Sequence, residues 1–397
     1  MHVLLLEWAC AGAKGTRAIL PEGFGMLRTL CSAIRAEGHS ATAVVSRHIA
    51  PEAGCLGASD LVFIEGDPMT AADRLFEQYE AAFVVAPESH GILSKISRSA
   101  ASKSRLVSCS PATIDAFSSK LNAFQLVSGT ASNLRVPEFV EVEADPRQIA
   151  SSSEKIGLPA VVKPADGAGS EATSIVRTTS DSRAACARLT ASGWRRGIVQ
   201  RFVQGRHLSA TFIANAPDIL PLSINTQSIA ISETLRYQGG SCPYPFPSQD
   251  EIWADLAKIV NSTGSKGLMG MDFVYDGQDS YFMEINPRMT TSCIGLSKVI
   301  EPPLGKLIMS RLPLQPRHRG YAQWAILPLR RTAQVAEALL PRLFEMEEVV
   351  SPPFSAGQFY MKDSGKVLVC VSALDPLEIP AKIEETRQKL AEMNLVC

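Results

Sequence analysis

Asp272, Glu284, Asn286 and Arg288, two carboxylates, an amide and a guanidinium, lie in or just beyond two apolar runs within residues 272–288. In "SYFMEINPRMTTS" (280–292), Phe282, Glu284 and Asn286 alternate with Met283 and Ile285. Side chains two apart on a strand share a face, so Glu284 and Asn286 point one way while Met283 and Ile285 point the other. Asp272 sits in the preceding apolar run, and the turn-like "DGQDS" between the two runs predicts a hairpin. A solvated strand face would alternate with Lys or Thr and would not set an amide before Pro-Arg. Hard oxygen donors of this kind suit Mg²⁺, which keeps waters and takes further ligands from substrate phosphates.

A second stretch, "GLPAVVKPADGAGSEATSIV" (157–176), reads as a strand, a glycine-rich loop and a strand. Lys163 ends the first strand, and a lysine followed by small residues can hold phosphates with one charge and several backbone N–H groups. No G-x-x-x-x-G-K-[ST] occurs, and the loop joins strands instead of opening a helix. Alone, a surface hairpin with an Asp-Gly turn accounts for it better. "GIVQRFVQGRHLSA" (197–210) could link two lobes and pair its backbone with a flat base; alone it reads as a half-buried strand.

These pieces need a scaffold. In the first hundred or so residues, "HVLLLEW", "ATAVVS", "DLVFIEG", "AAFVVAP" and "RLVSCS" are short apolar runs separated by helix-like segments. "GMLRTLCSAIRAEG" puts Met26, Leu27, Leu30, Cys31 and Ile34 on one helical face and stops at Gly38. Nearly continuous apolar strands alternating with helices imply a parallel sheet covered on both faces, an α/β unit. "SPATIDAFSSK" opens a helix with Ser110 as N-cap and Pro111 in its first turn. From about residue 134 the chain becomes β-rich, with helices expected at about 180–191 and 250–261. The tail carries strands "AQWAILPL" and "KVLVCVSAL" and a final charged helix, "PAKIEETRQKLAEM".

Length and composition narrow the function. At 397 residues and 46% hydrophobic, the chain suits two or three packed units. Lysine plus arginine (39) nearly cancel aspartate plus glutamate (40), so no polybasic surface points to nucleic acid or an anionic membrane. The start, "MHVLLLEWACAG", has a short apolar run without a basic segment, which reads as a core strand and not a signal peptide. Nine cysteines without a CxxC pair point to free thiols in a reducing compartment, hence a cytoplasmic protein.

The order of the motifs carries more than any one of them. Lys120, then Lys163 with its glycine loop, then "VQRFVQG", then Asp…Glu-x-Asn-Pro-Arg resembles the ATP-grasp superfamily over roughly residues 110–310. The resemblance implies an ATP-grasp fold with an N-terminal Rossmann-like parallel-sheet domain (1–109). A small lobe with the glycine-rich loop (110–195), a large lobe with the metal site (196–315) and a C-terminal β-rich extension with a helix (316–397) would follow. It further implies that Lys120 and Lys163 contact ATP phosphates and that Asp166, Gly167, Gly169 and Ser170 close over them. Gln200, Phe202 and Val203 would meet adenine, the latter two through backbone atoms. Asp272, Glu284 and Asn286 would hold Mg²⁺, two ions bridged by Glu284, with Mn²⁺ as a substitute. Arg288, with Lys163, would serve catalysis by neutralising the transferred phosphoryl group or an acyl phosphate. Two positions depart from the usual pattern. His207 replaces an acid that holds the ribose, and Gly270 replaces an arginine two residues before the metal aspartate.

A narrower likeness is to the tyramine–glutamate ligase group of methanofuran and methylofuran biosynthesis, carried by "LLLEWACAG", "LPLSINTQSI", "RYQGGSCPYP" and "MDFVYD…EINPRMTTS". It implies an ADP-forming ligase acting on small molecules, a glutamate carboxyl and the amine of tyramine or tyrosine, with a homodimer left open. Glu7, Asn225, Arg236, Tyr237 and Gly239 are the substrate candidates. Glu7 could orient an amine at the end of the first strand, or be buried against backbone. Ligation of another acid or amine, or a non-catalytic nucleotide-binding role, are the alternatives.

Overall fold

The computed structural model describes residues 1–167, 172–310, 314–330, 337–354 and 365–397. Five N-terminal strands, β1 (His2–Glu7), β2 (Ser40–Ser46), β3 (Asp60–Ile64), β4 (Ala81–Val85) and β5 (Arg105–Leu106), pair in parallel in the order β3-β2-β1-β4-β5. Both faces of β1 are buried, as its unbroken "VLLL" requires. The helix Leu20–Ala36 covers one face with Phe24, Leu27, Leu30 and Ile34, and the chain turns out of it at Gly38 with φ +75°. Ser110 caps the helix Pro111–Phe117, its hydroxyl accepting the Thr113 N–H at 3.3 Å.

The chain then contributes β6 (Leu134–Arg135) to the edge of a large sheet before building a smaller one. The smaller sheet contains β7 (Phe139–Glu143), β8 (Ala160–Pro164), β9 (Ser174–Val176) and β10 (Arg196–Arg201) in the antiparallel order β7-β10-β8-β9. Helices Pro146–Ile156 and Ser182–Ala191 pack on one side of it through Ile149, Ala185 and Leu189.

The large sheet is formed by β11 (Arg206–Asn215), β12 (Asp218–Ile231), β13 (Leu235–Cys242), β14 (Lys266–Tyr275) and β15 (Ser280–Asn286), and further on by β18 (Tyr321–Pro328), β19 (Val349–Ser351) and β20 (Lys366–Ala373). A separate pair, β16 (Ile300–Glu301) and β17 (Arg317–His318), lies between them in sequence. The order is β19-β20-β18-β13-β12-β11-β14-β15-β6, nine strands, all antiparallel pairings except β15 with β6.

The sheets cut across the segment boundaries expected from sequence. β10 begins at residue 196 yet belongs to the small sheet, and the tail strands β18–β20 continue the large sheet through the β13–β18 pairing. Gly239 makes that pairing possible. Its φ is +133°, and a Cβ there would stand 2.1 Å from the Trp324 carbonyl oxygen. The helix Gln249–Thr263 backs the sheet, and its fully buried Asp255 accepts N–H groups from Ser132, Asn133 and Leu134 at 2.6–3.0 Å. No described helix is long and apolar enough to cross a membrane.

Candidate active site

The order of the N-terminal sheet reverses between β1 and β4, and ligands of open α/β sheets gather beyond the strand ends at such a point. Glu7 is the last residue of β1, and Glu88 follows three residues after β4. Glu88 reaches across to the large lobe. Its carboxylate accepts Arg288 Nε at 3.0 Å and Nη2 at 3.3 Å, a two-point pairing that is nearly buried.

On the large sheet, Asp272 and Glu284 are direct cross-strand partners and Asn286 stands opposite Gly270. The plain alternation expected for 280–286 is broken by a bulge between the Asp272–Glu284 and Phe273–Phe282 pairs, with Met283 as the extra residue. Phe282 therefore turns into the apolar core against Phe124, ring centroids 5.9 Å apart, and does not alternate in step with Glu284. Glu284 and Asn286 stay with Asp272. Asp272 accepts Gln227 Nε2 at 2.9 Å and Asn286 Nδ2 at 3.2 Å, while Asn286 Oδ1 accepts Arg288 Nη2 at 3.2 Å. Gly270 has a local reason: a Cβ there would meet Thr290 Cγ2 at 2.7 Å.

The cations come from the other side. Lys120 opens the helix Lys120–Thr130, donates its backbone N–H to Ala165 O at 3.0 Å, and directs Nζ to Gly167 O and, at 2.9 Å, to Glu284 Oε2. Lys163, near the end of β8, is 8% exposed, and its Nζ lies 5.2 Å from the Phe124 ring centroid. Burial, followed by the charge of Lys120, brings the Lys163 ammonium down to about 7. Burial and the facing Glu284 raise Asp272 above the ordinary carboxyl range. Burial works to raise Glu284 as well, but the charge and hydrogen bond of Lys120, with the charges of Lys163 and Arg288, together outweigh it and the carboxyl is held low.

These shifts bear on what fits here. A buried lysine whose charge a second lysine disfavours suits a polyanion, and a buried carboxyl whose charge a facing carboxylate disfavours suits a cation. Asp272, Glu284 and Asn286 thus have the chemistry of an Mg²⁺ site and Lys120 and Lys163 that of a phosphate site. Gln200 adds a third signal. It is 2% exposed, lies on the same sheet face as Lys163, and its Nε2 has no hydrogen-bond partner among the described residues. An unpaired buried amide is costly unless a ligand completes it, and a purine edge supplies acceptors.

Residues 117–292 match the family described as ATP-grasp domain, and residues 61–114 match the one described as pre ATP-grasp 3 domain. The chain carries an ATP-grasp domain. A tyramine–L-glutamate ligase of Methanocaldococcus fervens is 34% identical over 113 residues, 28% of this chain and 36% of that relative. A D-alanine–D-alanine ligase of Desulforudis audaxviator is 29% identical over 164 residues, 39% of this chain and 54% of the relative. The chain thus spans roughly a third to a half of the length of these curated relatives. A biotin carboxylase–β,γ-ATP complex from Campylobacter jejuni superposes with a TM-score of 0.71 at 16% identity, covering 100% of this chain and 91% of the other. With the family match over residues 117–292, that likeness establishes the ATP-grasp fold.

Within this fold the remaining sequence candidates take the following places. Asp166 is exposed and Gly167 buried beneath Lys120, while Gly169 and Ser170 lie outside the described residues. Phe202 donates its N–H to Pro159 O at 3.3 Å, and Val203 is half-buried beside it. His207 is half-buried on β11 opposite Val274, and burial holds its imidazole below the usual range. Glu7 is 3% exposed, accepts the Cys10 N–H at 2.8 Å and lies against Gly23, so it ties the "EWACAG" turn to the first helix. Burial raises its pKa, with Arg288 close enough to pull the other way.

Asn225 is fully buried and donates to Ser209 Oγ at 3.2 Å and Thr211 Oγ1 at 3.0 Å, inside the sheet. Arg236 is exposed. The Tyr237 hydroxyl accepts Trp324 Nε1 at 2.6 Å and the Thr291 hydroxyl at 3.0 Å. Gly239 serves the β13–β18 approach. Glu88 and Gln227 were not among the sequence candidates. "AAFVVAPES" carried a signal for Glu88, an acid just past a buried strand, the same pattern that singled out Glu7.

Proposed function

We propose that this ATP-grasp protein is an ATP-dependent carboxylate–amine ligase. It would join the γ-carboxyl of glutamate to the amine of tyramine or tyrosine, in the biosynthesis of a methanofuran- or methylofuran-type one-carbon carrier. The observation that carries the ligase reading is the facing of Lys120 and Lys163 against Asp272 and Glu284, with Lys120 2.9 Å from Glu284. The aligned tyramine–L-glutamate ligase supports the narrower substrates.

A carboxylate is a poor electrophile because its leaving group would be oxide. Attack of a carboxylate oxygen on the γ-phosphorus breaks the bond to the β-phosphate oxygen, releases ADP and leaves an acyl phosphate. The amine lone pair then attacks the acyl carbon, the C–O bond to phosphate breaks, and the ammonium proton passes to solvent or phosphate. Lys120 and Lys163 offset the charge that crowds as the carboxylate meets the triphosphate. Asp272, Glu284 and Asn286 would hold Mg²⁺, which when bound supplies further screening of the phosphate oxygens. Arg288, fixed by Glu88 and Asn286, brings a third cation to the same cluster. The small lobe that carries Lys163 limits water at the acyl phosphate.

The test is incubation of the purified protein with ATP, Mg²⁺, glutamate and each aromatic amine, recording phosphate release and product mass. Phosphate release that needs both partners and yields a γ-glutamyl amide is the expected result. Release without glutamate, or faster turnover with aliphatic amino acids, removes the narrow assignment. A ligase of other amino acids is the second reading, favoured by the longer alignment to the D-alanine–D-alanine ligase. A non-catalytic nucleotide-binding role is disfavoured by a full set of cationic and metal-type residues in one place.

A further inference from the structure

Residues 87–91, "PESHG", leave β4 at the point where the sheet order reverses and touch both other lobes. Toward the large lobe, Glu88 holds Arg288 by two hydrogen bonds of 3.0 and 3.3 Å. Arg288 in turn holds Asn286 Oδ1, so a candidate metal ligand is oriented from the N-terminal domain through one guanidinium. Toward the small lobe, His90 stacks on Trp194, ring centroids 4.6 Å apart and planes 9° from parallel. Trp194 lies between the helix Ser182–Ala191 and β10, in the lobe that carries Lys163.

The loop is shaped for this double contact. His90 adopts φ +57°, a left-handed conformation disfavoured for a residue with a Cβ, and Gly91 follows at φ +67°. Gly91 N donates to Glu88 O at 3.0 Å and Leu93 N to Pro87 O at 3.1 Å, which ties the turn to the helix Ile92–Lys103. A simple connection between strand and helix does not call for an outlying imidazole. Here the outlier is what lays the ring flat on Trp194 while Glu88, two residues earlier, stays in the crevice.

We infer that the 87–91 loop couples the seating of the small lobe to the aim of Arg288. Glu88 is a positioning residue that acts through Arg288, and the His90–Trp194 stack is the contact by which the small lobe registers on the same loop. Loss of the stack loosens the lobe holding Lys163 and also frees the loop that holds Arg288. Loss of the Glu88 carboxylate frees the same loop from its Arg288 end and so loosens the small lobe as well. The inference rests on the ligase reading only where nucleotide affinity is measured, so its test includes an exchange arm that needs no ligand.

The experiment compares Glu88→Gln, His90→Ala, Trp194→Ala and the Glu88→Gln/Trp194→Ala double variant, with His90→Phe to restore a stacking ring. In the protein alone, hydrogen exchange of the β10 amides is expected to speed up several-fold in both His90→Ala and Glu88→Gln, and to return toward wild type in His90→Phe. Affinity for Mg-AMPPNP is expected to fall in each single variant, with the double variant departing from the product of the two effects by at least threefold. Multiplicative effects on affinity, together with β10 exchange unmoved by Glu88→Gln, overturn the coupling. Should Glu88→Gln fail to fold, Arg288→Lys replaces it in both arms, because it also breaks the two-point pairing. Absence of any Mg-AMPPNP binding by wild type would sink the ligase reading, while the exchange arm still decides the coupling.

Discussion

Lys120 Nζ lies 2.9 Å from Glu284 Oε2, so a cation of the candidate phosphate site is already paired with a carboxylate of the candidate metal site. Each group must change partner when Mg²⁺ and a triphosphate enter together, since the metal claims the carboxylate and the phosphates claim the ammonium. Glu284→Gln is expected to abolish Mg²⁺-dependent turnover. Stability should change little, because Lys120 keeps its contact with Gly167 O and an amide at 284 relieves the buried Asp272 of a facing charge. Melting within about 4 °C of wild type, the shift that roughly 1 kcal/mol produces in a large domain, together with lost turnover, is the expected pair of results. Near-full Mg²⁺-dependent activity in that variant would show that Glu284 is no metal ligand.

Lys163 is expected to make nucleotide binding pH-dependent. Its pKa is brought to about 7 by burial beside Lys120, well below the ordinary 10.5. A triphosphate favours the charged form, so binding above pH 7 takes up a proton and affinity falls as pH rises from about 7 toward 9. Stability of the protein alone runs the other way. Between about pH 7 and 10 the unfolded chain holds more protons at this lysine than the folded one, so this contribution to stability rises with pH. Calorimetry near pH 8 in buffers of different ionisation heat should record proton uptake, and Lys163→Met should lose it. Lys163→Ala is expected to weaken ATP binding by about 1.5–3 kcal/mol, roughly ten- to a hundredfold.

Much of this site could be read in the sequence because the hairpin, the lysine-ended strand and the order of motifs are local or ordinal features. Helix starts were also legible where a cap and proline coincide, as at Ser110 and Pro111. Contacts made by distant pairing were not. Glu88 becomes part of the site only because β4 lies beside β1, and Gln227 only because β11 separates β12 from β14. The bulge at Met283 has no glycine or proline to mark it, and it alone moves Phe282 out of step with Glu284. Gly239 is a substrate candidate only through the ligase-group likeness carried by "RYQGGSCPYP". In the folded chain it lies within a strand, where two backbones come too close for a Cβ.

Asp255 carries stability and no chemistry. Burial works to raise its pKa, but the N–H groups of Asn133 and Leu134 and the ammonium of Lys258, 3.0 Å away, leave it below the ordinary carboxyl value. A depressed folded pKa contributes stability that is present above the unfolded pKa of about 3.9 and is lost as pH falls below it. Asp255→Ala leaves three backbone donors unsatisfied beneath β6, and a loss of about 3 kcal/mol is expected in denaturant titration. Activity per folded molecule should be unchanged. A variant as stable as wild type would mean the 132–134 segment finds other acceptors.

Tyr237 decides between two views of the strand that also carries Arg236 and Gly239. Its hydroxyl accepts hydrogen bonds from Trp324 Nε1 and from Thr291, five residues past Asn286, so it joins β18 to the loop beyond the candidate metal ligands. Two incoming donors leave the hydroxyl hydrogen available to a third group, and a bound substrate is one such acceptor. Tyr237→Phe leaves the indole N–H without its partner and should destabilise the protein by about 1–2 kcal/mol, seen as a lower denaturant midpoint at unchanged slope. If the hydroxyl also meets the substrate, KM for the amine or the acid rises while Mg-AMPPNP affinity holds. A structural hydroxyl alone would leave KM near wild type despite the lower midpoint. Gly239→Ala serves as the control on the same strand: its Cβ would strike the Trp324 carbonyl from a positive-φ backbone, so the β13–β18 pairing and the folded yield should fail together.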